Sequence, residues 1–375
     1  MKIGFDAKRA AQNRTGLGNY SRFVINGLVD YAAENEYLLY VPSVKKATLL
    51  GRLSQVTKIC SPVGIWQKLS SLWRIWGITA DIRRDNISLY HGLSNELPLT
   101  ISKANNTKSI VTIHDLIYLR YPKYFHYIDR KIYAYKFRKA CQQADRIIAV
   151  SECTKRDIVS FFKVPNEKID VVYQGCDPVF KQVVSADLKE EVRQKYQLPE
   201  KYILYVGSIE PRKNLLLVAK ALKHLQDPVP VIAIGKRTPY VQQVEAYLKD
   251  NQLENRMTLL NNIPFRELPA FYQMATTFVY PSFFEGFGIP LLEALNSGVP
   301  AIGATGSCLE EAGGPHSLYV DPEDAVGLAV AIERTLSDKP LRNKMIEEGK
   351  KYALRFEESK LTADIVSVYD RVINS

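Results

Sequence analysis

The stretch Thr277-Phe-Val-Tyr-Pro281-Ser-Phe-Phe-Glu285-Gly-Phe-Gly288-Ile-Pro290-Leu-Leu-Glu293-Ala-Leu-Asn-Ser-Gly298-Val-Pro300 runs from an apolar segment through a glycine turn into a helix. Thr277–Tyr280 reads as a buried strand, Gly286 and Gly288 free the backbone to turn, and Pro290 suits a first helical turn. A strand that hands over to a helix in this way is one step of a doubly wound parallel sheet, and such sheets take ligands at their strand C-termini. There a phosphate meets backbone N–H groups and the positive end of the helix dipole. Glu285 on the loop and Glu293 one turn into the helix stand eight residues apart. Both suit sugar hydroxyls, because an ionised carboxylate only accepts hydrogen bonds.

Outward from this segment the same rhythm fills the chain. Short β-branched or aromatic runs at 2–6, 36–41, 87–91, 109–114, 146–150 and 168–173 alternate with helical stretches. A second series occupies 202–207, 231–235, 257–260, 277–280, 300–302 and 318–320. The pattern predicts an α/β protein with two Rossmann-like domains, which 375 residues are long enough to fill. The strand rhythm stops in Gln174-Gly-Cys-Asp-Pro-Val-Phe180 and a polar helix around Ser185–Tyr196, which places the hinge near Gly175–Pro178. After Pro340 the chain reads as helical to its end, with Leu361, Ile365, Val368, Tyr369 and Val372 forming one apolar stripe.

Composition is ordinary for a globular protein: 46% hydrophobic and 24% charged residues, with no low-complexity tract or fixed-period repeat. No apolar run approaches the roughly 20 residues of a spanning helix, and Met1-Lys-Ile-Gly-Phe5 reads as a strand, so a cytoplasmic location is expected. Five scattered cysteines without a CxxC pair suggest reduced thiols, not a disulfide framework or zinc site. The absence of an Asp-x-Asp pair and the dispersal of five histidines lead us to expect neither metal nor cofactor. Residues 1–176 hold 27 Lys+Arg against 14 Asp+Glu, whereas the remainder holds 23 against 26. That basic half reads either as a solvated surface or as one drawn to anionic lipid headgroups or a pyrophosphate-linked acceptor. No nucleic-acid recognition motif accompanies it.

Other residues stand out by position. Arg212 and Lys213 follow the 202–207 run, where they could stabilise negative charge developing on a phosphate. Gly16-Leu-Gly18 reads as a short glycine loop before a helix starting at Asn19-Tyr20; it lacks the third glycine of a dinucleotide fingerprint, and Val41-Pro42 replaces the acidic residue an NAD site wants. His114 ends the 109–114 run and should project from a strand C-terminus, with Asp115 capping the turn after it. Ile65, Leu69, Leu72, Trp73 and Trp76 read as one face of a single helix, flanked by Lys68 and Arg74; that face suits either the core or a membrane interface.

The segment 281–300 resembles the E-x7-E signature of the retaining glycosyltransferase family 4, the group 1 glycosyl transferases, which have the GT-B fold. The resemblance continues through Gly4-Phe-Asp6, Thr15–Tyr20, Thr112-Ile-His-Asp-Leu116, Val150-Ser-Glu152, Gly207-Ser-Ile-Glu-Pro-Arg-Lys-Asn214 and Ser307–Pro322, in the family's order. The opening and His-Asp segments look most like bacterial mannosyltransferases of surface-polysaccharide assembly. In Ser307-Cys-Leu-Glu310-Glu311 the chain departs from the family's form: Glu310 stands in a proline's place, and Glu311 aligns with the family glutamate in a structural role.

What the resemblance implies is specific. An acceptor-binding domain would span 1–176, a nucleotide-sugar domain 177–355, and a last helix, 356–375, would cross back onto the first domain, with ligand in the cleft between. The catalytic set would be His114, Glu285, Arg212 and Lys213. Donor contacts would fall on Gly16, Gly18, Gly207, Arg212, Lys213, Ile263, Glu285, Gly286, Phe287, Gly288, Ile289 and Glu293, with Glu285 on the hexose, Gly288 on the diphosphate, Glu293 on the ribose and Ile263 at the base. The implied activity is metal-independent, anomer-retaining transfer of a hexose, best mannose from GDP-mannose, to a glycan or lipid-linked acceptor. Its implied location is cytoplasmic, peripheral on the inner face of the membrane. A UDP-sugar-dependent glucosyl or GlcNAc transferase, an epimerase of the same fold, and a non-enzymatic polyanion- or membrane-binding module are the alternatives.

Overall fold

The computed structural model describes residues 1–104 and 106–375. The chain forms two compact units, Met1–Gly175 with Phe356–Ser375, and Cys176–Arg355. The first is built on seven parallel strands: β1 (Lys2–Asp6), β2 (Glu36–Tyr40), β3 (Lys58–Cys60), β4 (Leu89–Gly92), β5 (Lys108–Ile113), β6 (Arg146–Ala149) and β7 (Ile169–Val171). They lie in the order β3-β2-β1-β4-β5-β6-β7, so the winding reverses between β1 and β4. Central strands are buried almost end to end, as strands covered by helices on both faces must be. Strand β3 escapes a reading by apolar runs because exposed Lys58 interrupts the short run from Val56 to Cys60.

Gly16 and Gly18 do not form a loop. The helix Gly16–Tyr31 begins at Gly16, and both glycines belong to its first turn. The chain breaks earlier, at extended Thr15, whose N–H and hydroxyl donate to Asn13 Oδ1 at 2.7 and 2.6 Å. Gly18 is required by packing, since a Cβ there would lie 1.9 Å from the Asn13 carbonyl oxygen.

The Ile65–Trp76 segment is likewise not one helix. It passes through a 3-10 turn (Gly64–Gln67), a short helix (Ser70–Leu72) and a π-helical turn (Trp73–Gly77) before the helix Ile78–Arg84. The wider i to i+5 turn rotates side chains out of a 3.6-residue stripe. Trp73 alone is buried and donates its indole N–H to Asp81 at 2.6 Å, whereas Ile65, Leu69, Leu72 and Trp76 are exposed. Arg74 turns inward to pair with Asp6 and Glu96, both at 2.8 Å.

The C-terminal region is two helices, Lys339–Ala353 and Glu358–Ile373, separated by the 3-10 turn Leu354–Phe356. The last helix packs on Gly16–Tyr31 so closely that a Cβ on Gly27 would lie 2.3 Å from Thr362 Oγ1. Its stripe of Leu361, Ile365, Val368, Tyr369 and Val372 is fully buried.

The second unit carries six parallel strands: β8 (Ile203–Val206), β9 (Val231–Ile234), β10 (Met257–Leu260), β11 (Thr277–Tyr280), β12 (Ala301–Ala304) and β13 (Leu318–Val320). Their order, β10-β9-β8-β11-β12-β13, puts the reversal between β8 and β11. Among the described residues no helix is long and apolar enough to cross a membrane.

Candidate active site

In an open parallel sheet the ligand crevice opens where the winding reverses, beyond the strand C-termini. In the second unit that point is bounded by the loops after β8 and β11, which carry Gly207–Asn214 and Pro281–Gly288. Asn214, in the left-handed conformation at φ 60°, ties these loops together by donating Nδ2–H to the carbonyls of Pro281 (3.1 Å) and Pro322 (2.7 Å). Gly207 admits Lys213, whose Cδ would lie 3.2 Å from a Cβ there. Gly235, absent from the sequence reading, lets β9 end against β8: its Cβ would fall 1.8 Å from the Gly207 carbonyl oxygen.

Glu285 is the hub. Its Oε1 accepts from the Tyr280 hydroxyl (2.9 Å) and the Ser282 hydroxyl (2.9 Å), and pairs with Arg212 Nη1 (2.7 Å). The same guanidinium donates to the Phe284 carbonyl (2.5 Å) and Glu210 (2.8 Å). Burial pushes the Glu285 carboxyl up, but Arg212 and Lys213 nearby, with the hydrogen bonds, outweigh it and hold the group at about 2. Lys213 makes no ion pair among the described residues; its ammonium lies over the Tyr280 ring, 5.6 Å from the centroid.

Gly288 takes φ 118°, starts the helix Ile289–Ser297, and has no room for a side chain: a Cβ would sit 2.8 Å from Leu309 Cδ2. Phe287 is buried, anchoring the loop beneath. Glu293 lies in the second turn and accepts from the Tyr272 hydroxyl at 2.8 Å. Burial is the main influence on it, Tyr272 opposes it, Asp177 reinforces it, and the carboxyl rises to about 7. Ile263 stands apart, half-buried beyond the edge strand β10, which β9 separates from β8.

In the first unit His114 follows β5 and is buried. Nε2 lies 2.9 Å from the Leu93 carbonyl, which can only accept, so Nε2 carries the proton and Nδ1 accepts from Gln174 Nε2 at 3.1 Å. Its backbone N–H donates to Asn95 Oδ1 at 2.7 Å, and the Tyr20 ring meets it edge-on at 4.6 Å. Burial lowers His114 to about 4, keeping the ring neutral. Asp115 accepts from the Ile117 N–H at 3.1 Å, closing the next turn. Behind them runs a buried polar chain: the Tyr369 hydroxyl to His91 Nδ1 (2.7 Å), His91 Nε2 to Thr112 Oγ1 (2.8 Å), and Thr112 to the Tyr20 hydroxyl (3.2 Å).

The structure thus brings Glu285, Arg212 and Lys213 together, with Gly288 and Glu293 on the adjoining helix; Gly16, Gly18 and His114 belong to the other unit. Tyr272 and Asp177 around Glu293 gave no sequence signal, being supplied by tertiary packing. Ser282, three residues before Glu285 on a turn of small and aromatic residues, could have been found. Among the described residues no three His, Cys, Asp or Glu side chains converge as metal ligands would.

Residues 16–180 match the family described as Glycosyltransferase Family 4, and residues 189–352 match Glycosyl transferases group 1. Among curated relatives, O-antigen chain mannosyltransferase B of Escherichia coli is 29% identical over 98% of this chain and 99% of its own length. O-antigen chain mannosyltransferase RfbU of Salmonella typhimurium is 30% identical over 60% of this chain and 59% of its own. Among solved structures, Anabaena HepE in complex with UDP-glucose superposes with TM-score 0.78 at 17% identity, covering 99% of this chain and 100% of that one. A Rickettsia africae glycosyltransferase gives 0.77 at 16%, covering 100% and 99%. Matched in both units and related over nearly its full length, the chain belongs to the group 1 glycosyl transferases of glycosyltransferase family 4, with the GT-B fold.

Proposed function

We propose that this glycosyltransferase moves mannose from GDP-mannose onto a growing glycan or lipid-linked oligosaccharide of a cell-surface polysaccharide, with the second unit holding the donor and the first the acceptor. The observation that carries the donor assignment is the pair of carboxylates at one helix start, Glu285 ion-paired at about 2 and Glu293 desolvated at about 7. The mannosyl choice is supported by the names of the Escherichia coli and Salmonella relatives. The five cysteines are all buried thiols, which supports a cytoplasmic setting.

In this reading Glu285 accepts hydrogen bonds from the hexose and Glu293 from the ribose. The diphosphate lies against the N-terminus of the helix Ile289–Ser297, where Lys213 and the Arg212 guanidinium neutralise it without a metal. The anomeric carbon–phosphate oxygen bond breaks as the acceptor oxygen bonds on the same face, and the acceptor proton passes to the departing phosphate. Nδ1 of His114 is open to a sugar hydroxyl only after Gln174 releases it. Thermal unfolding in EDTA with GDP, UDP, dTDP, ADP and CMP tests the donor: a rise with GDP is expected, since ligand at ~100 times its Kd adds about 2.7 kcal/mol. A rise with UDP alone would move the assignment to UDP-hexoses, and an inverted product anomer would end the same-face mechanism.

A further inference from the structure

A pocket of about 350 Å³ opens in the first unit, within the roughly 300–1,000 Å³ typical of small-ligand sites. It lies where that sheet's winding reverses. Its floor is Asp6, which ends β1, and Glu96, from the loop after β4, bridged by Arg74 at 2.8 Å to each. Lys136 reaches the other Glu96 oxygen at 3.3 Å. Trp76, Ile132 and Tyr135 form a wall and remain exposed, at 48%, 45% and 56%.

We infer that this pocket seats the terminal hexose of the acceptor glycan; the inference rests on the glycosyl-transfer reading above. Asp6 and Glu96 face Arg74 and Lys136 on the floor, and Lys131 also lines the pocket, so hydroxyl groups find both acceptors and donors there. The aromatic wall offers apolar faces to the C–H side of a pyranose. An isoprenoid pyrophosphate fits less well, because Arg74 and Lys136 are already paired with Asp6 and Glu96. The loop that supplies Glu96 also holds His114: Leu93 receives the imidazole proton, and Asn95, next to Glu96, receives the His114 backbone N–H. A sugar on this floor is therefore one loop away from His114.

The test measures binding of methyl α-D-mannopyranoside and a mannobiose by saturation-transfer NMR, for the intact protein and for Trp76→Ala and Tyr135→Ala, both half-exposed positions. Binding should weaken about tenfold or more in each variant. Thermal midpoints and nucleoside diphosphate affinity, which reads the other unit, should stay at their wild-type values. Mannoside binding unchanged in both variants would overturn the assignment. So would geranyl pyrophosphate binding to the wild-type protein in a way lost with Trp76→Ala while mannosides fail to bind. Absence of nucleotide binding in wild type would instead strike the donor reading, and the mannoside result would still decide the pocket.

Discussion

Glu285 and Glu293 sit at one loop–helix junction, yet their surroundings drive them apart: a guanidinium beside the first, loss of solvent with Asp177 and a tyrosine hydroxyl near the second. Groups pushed apart in this way take different parts in one site. If the ribose binds only ionised Glu293, nucleotide affinity should fall about tenfold per pH unit below the folded value of about 7, with proton release on binding. Isothermal titration across pH 5.5–8 in buffers of different ionisation enthalpy reads this directly, and Glu293→Gln should flatten the profile. Gly288→Ala places a side chain at φ 118° against Leu309 and should destabilise the second unit by about 1–3 kcal/mol, seen in its denaturant midpoint. The carboxylate pair with Gly288 was legible because one strand–turn–helix step writes them into a single short stretch, whereas the Gly16–Gly18 loop was misread and Gly235 was missed. That Arg212 is held by Glu285 before any phosphate arrives was not legible, since spacing along the chain does not say which charges neutralise one another.

At the scale of elements, apolar runs marked twelve of the thirteen strands among the described residues, because a strand covered on both faces has no polar alternation to hide it. The same reasoning failed for residues 64–84. It assumes a constant turn, and the π-helical turn at Trp73–Gly77 breaks that constancy; Gly77 permits the close stacking, since a Cβ there would press within 3.0 Å of both Trp66 and Trp73. The two tryptophans on this turn should therefore behave differently. Trp73→Ala opens the core and removes the Asp81 hydrogen bond, a loss of about 3–5 kcal/mol in urea unfolding. Trp76→Ala should stay within about 0.5 kcal/mol of wild type.

For the whole molecule, the two units should answer acid in opposite senses. His91 and His114 are held neutral in the first unit, at about 3 and 4 against an ordinary 6.5. Below 6.5 the unfolded chain takes up protons that the folded unit refuses, so its stability falls as pH falls, by up to about 1.4 kcal/mol per pH unit for each histidine. Glu293 does the reverse: between its ordinary 4.5 and about 7 the folded second unit keeps a proton that the unfolded chain releases, so its stability rises as pH falls. Calorimetry from pH 7 to 5 should show the first unit's transition moving down and the second's moving up. A nucleoside diphosphate should raise only the second. The return of the last helix to the first unit also sets an order of events during synthesis. Residues 176–355 are all made before Glu358–Ile373 exists, so the second unit can finish folding while the bed on Gly16–Tyr31 is still bare. At roughly 5–20 residues per second that apolar groove waits about 10–40 s for its cover, and in that interval the nascent chain is most in need of a chaperone.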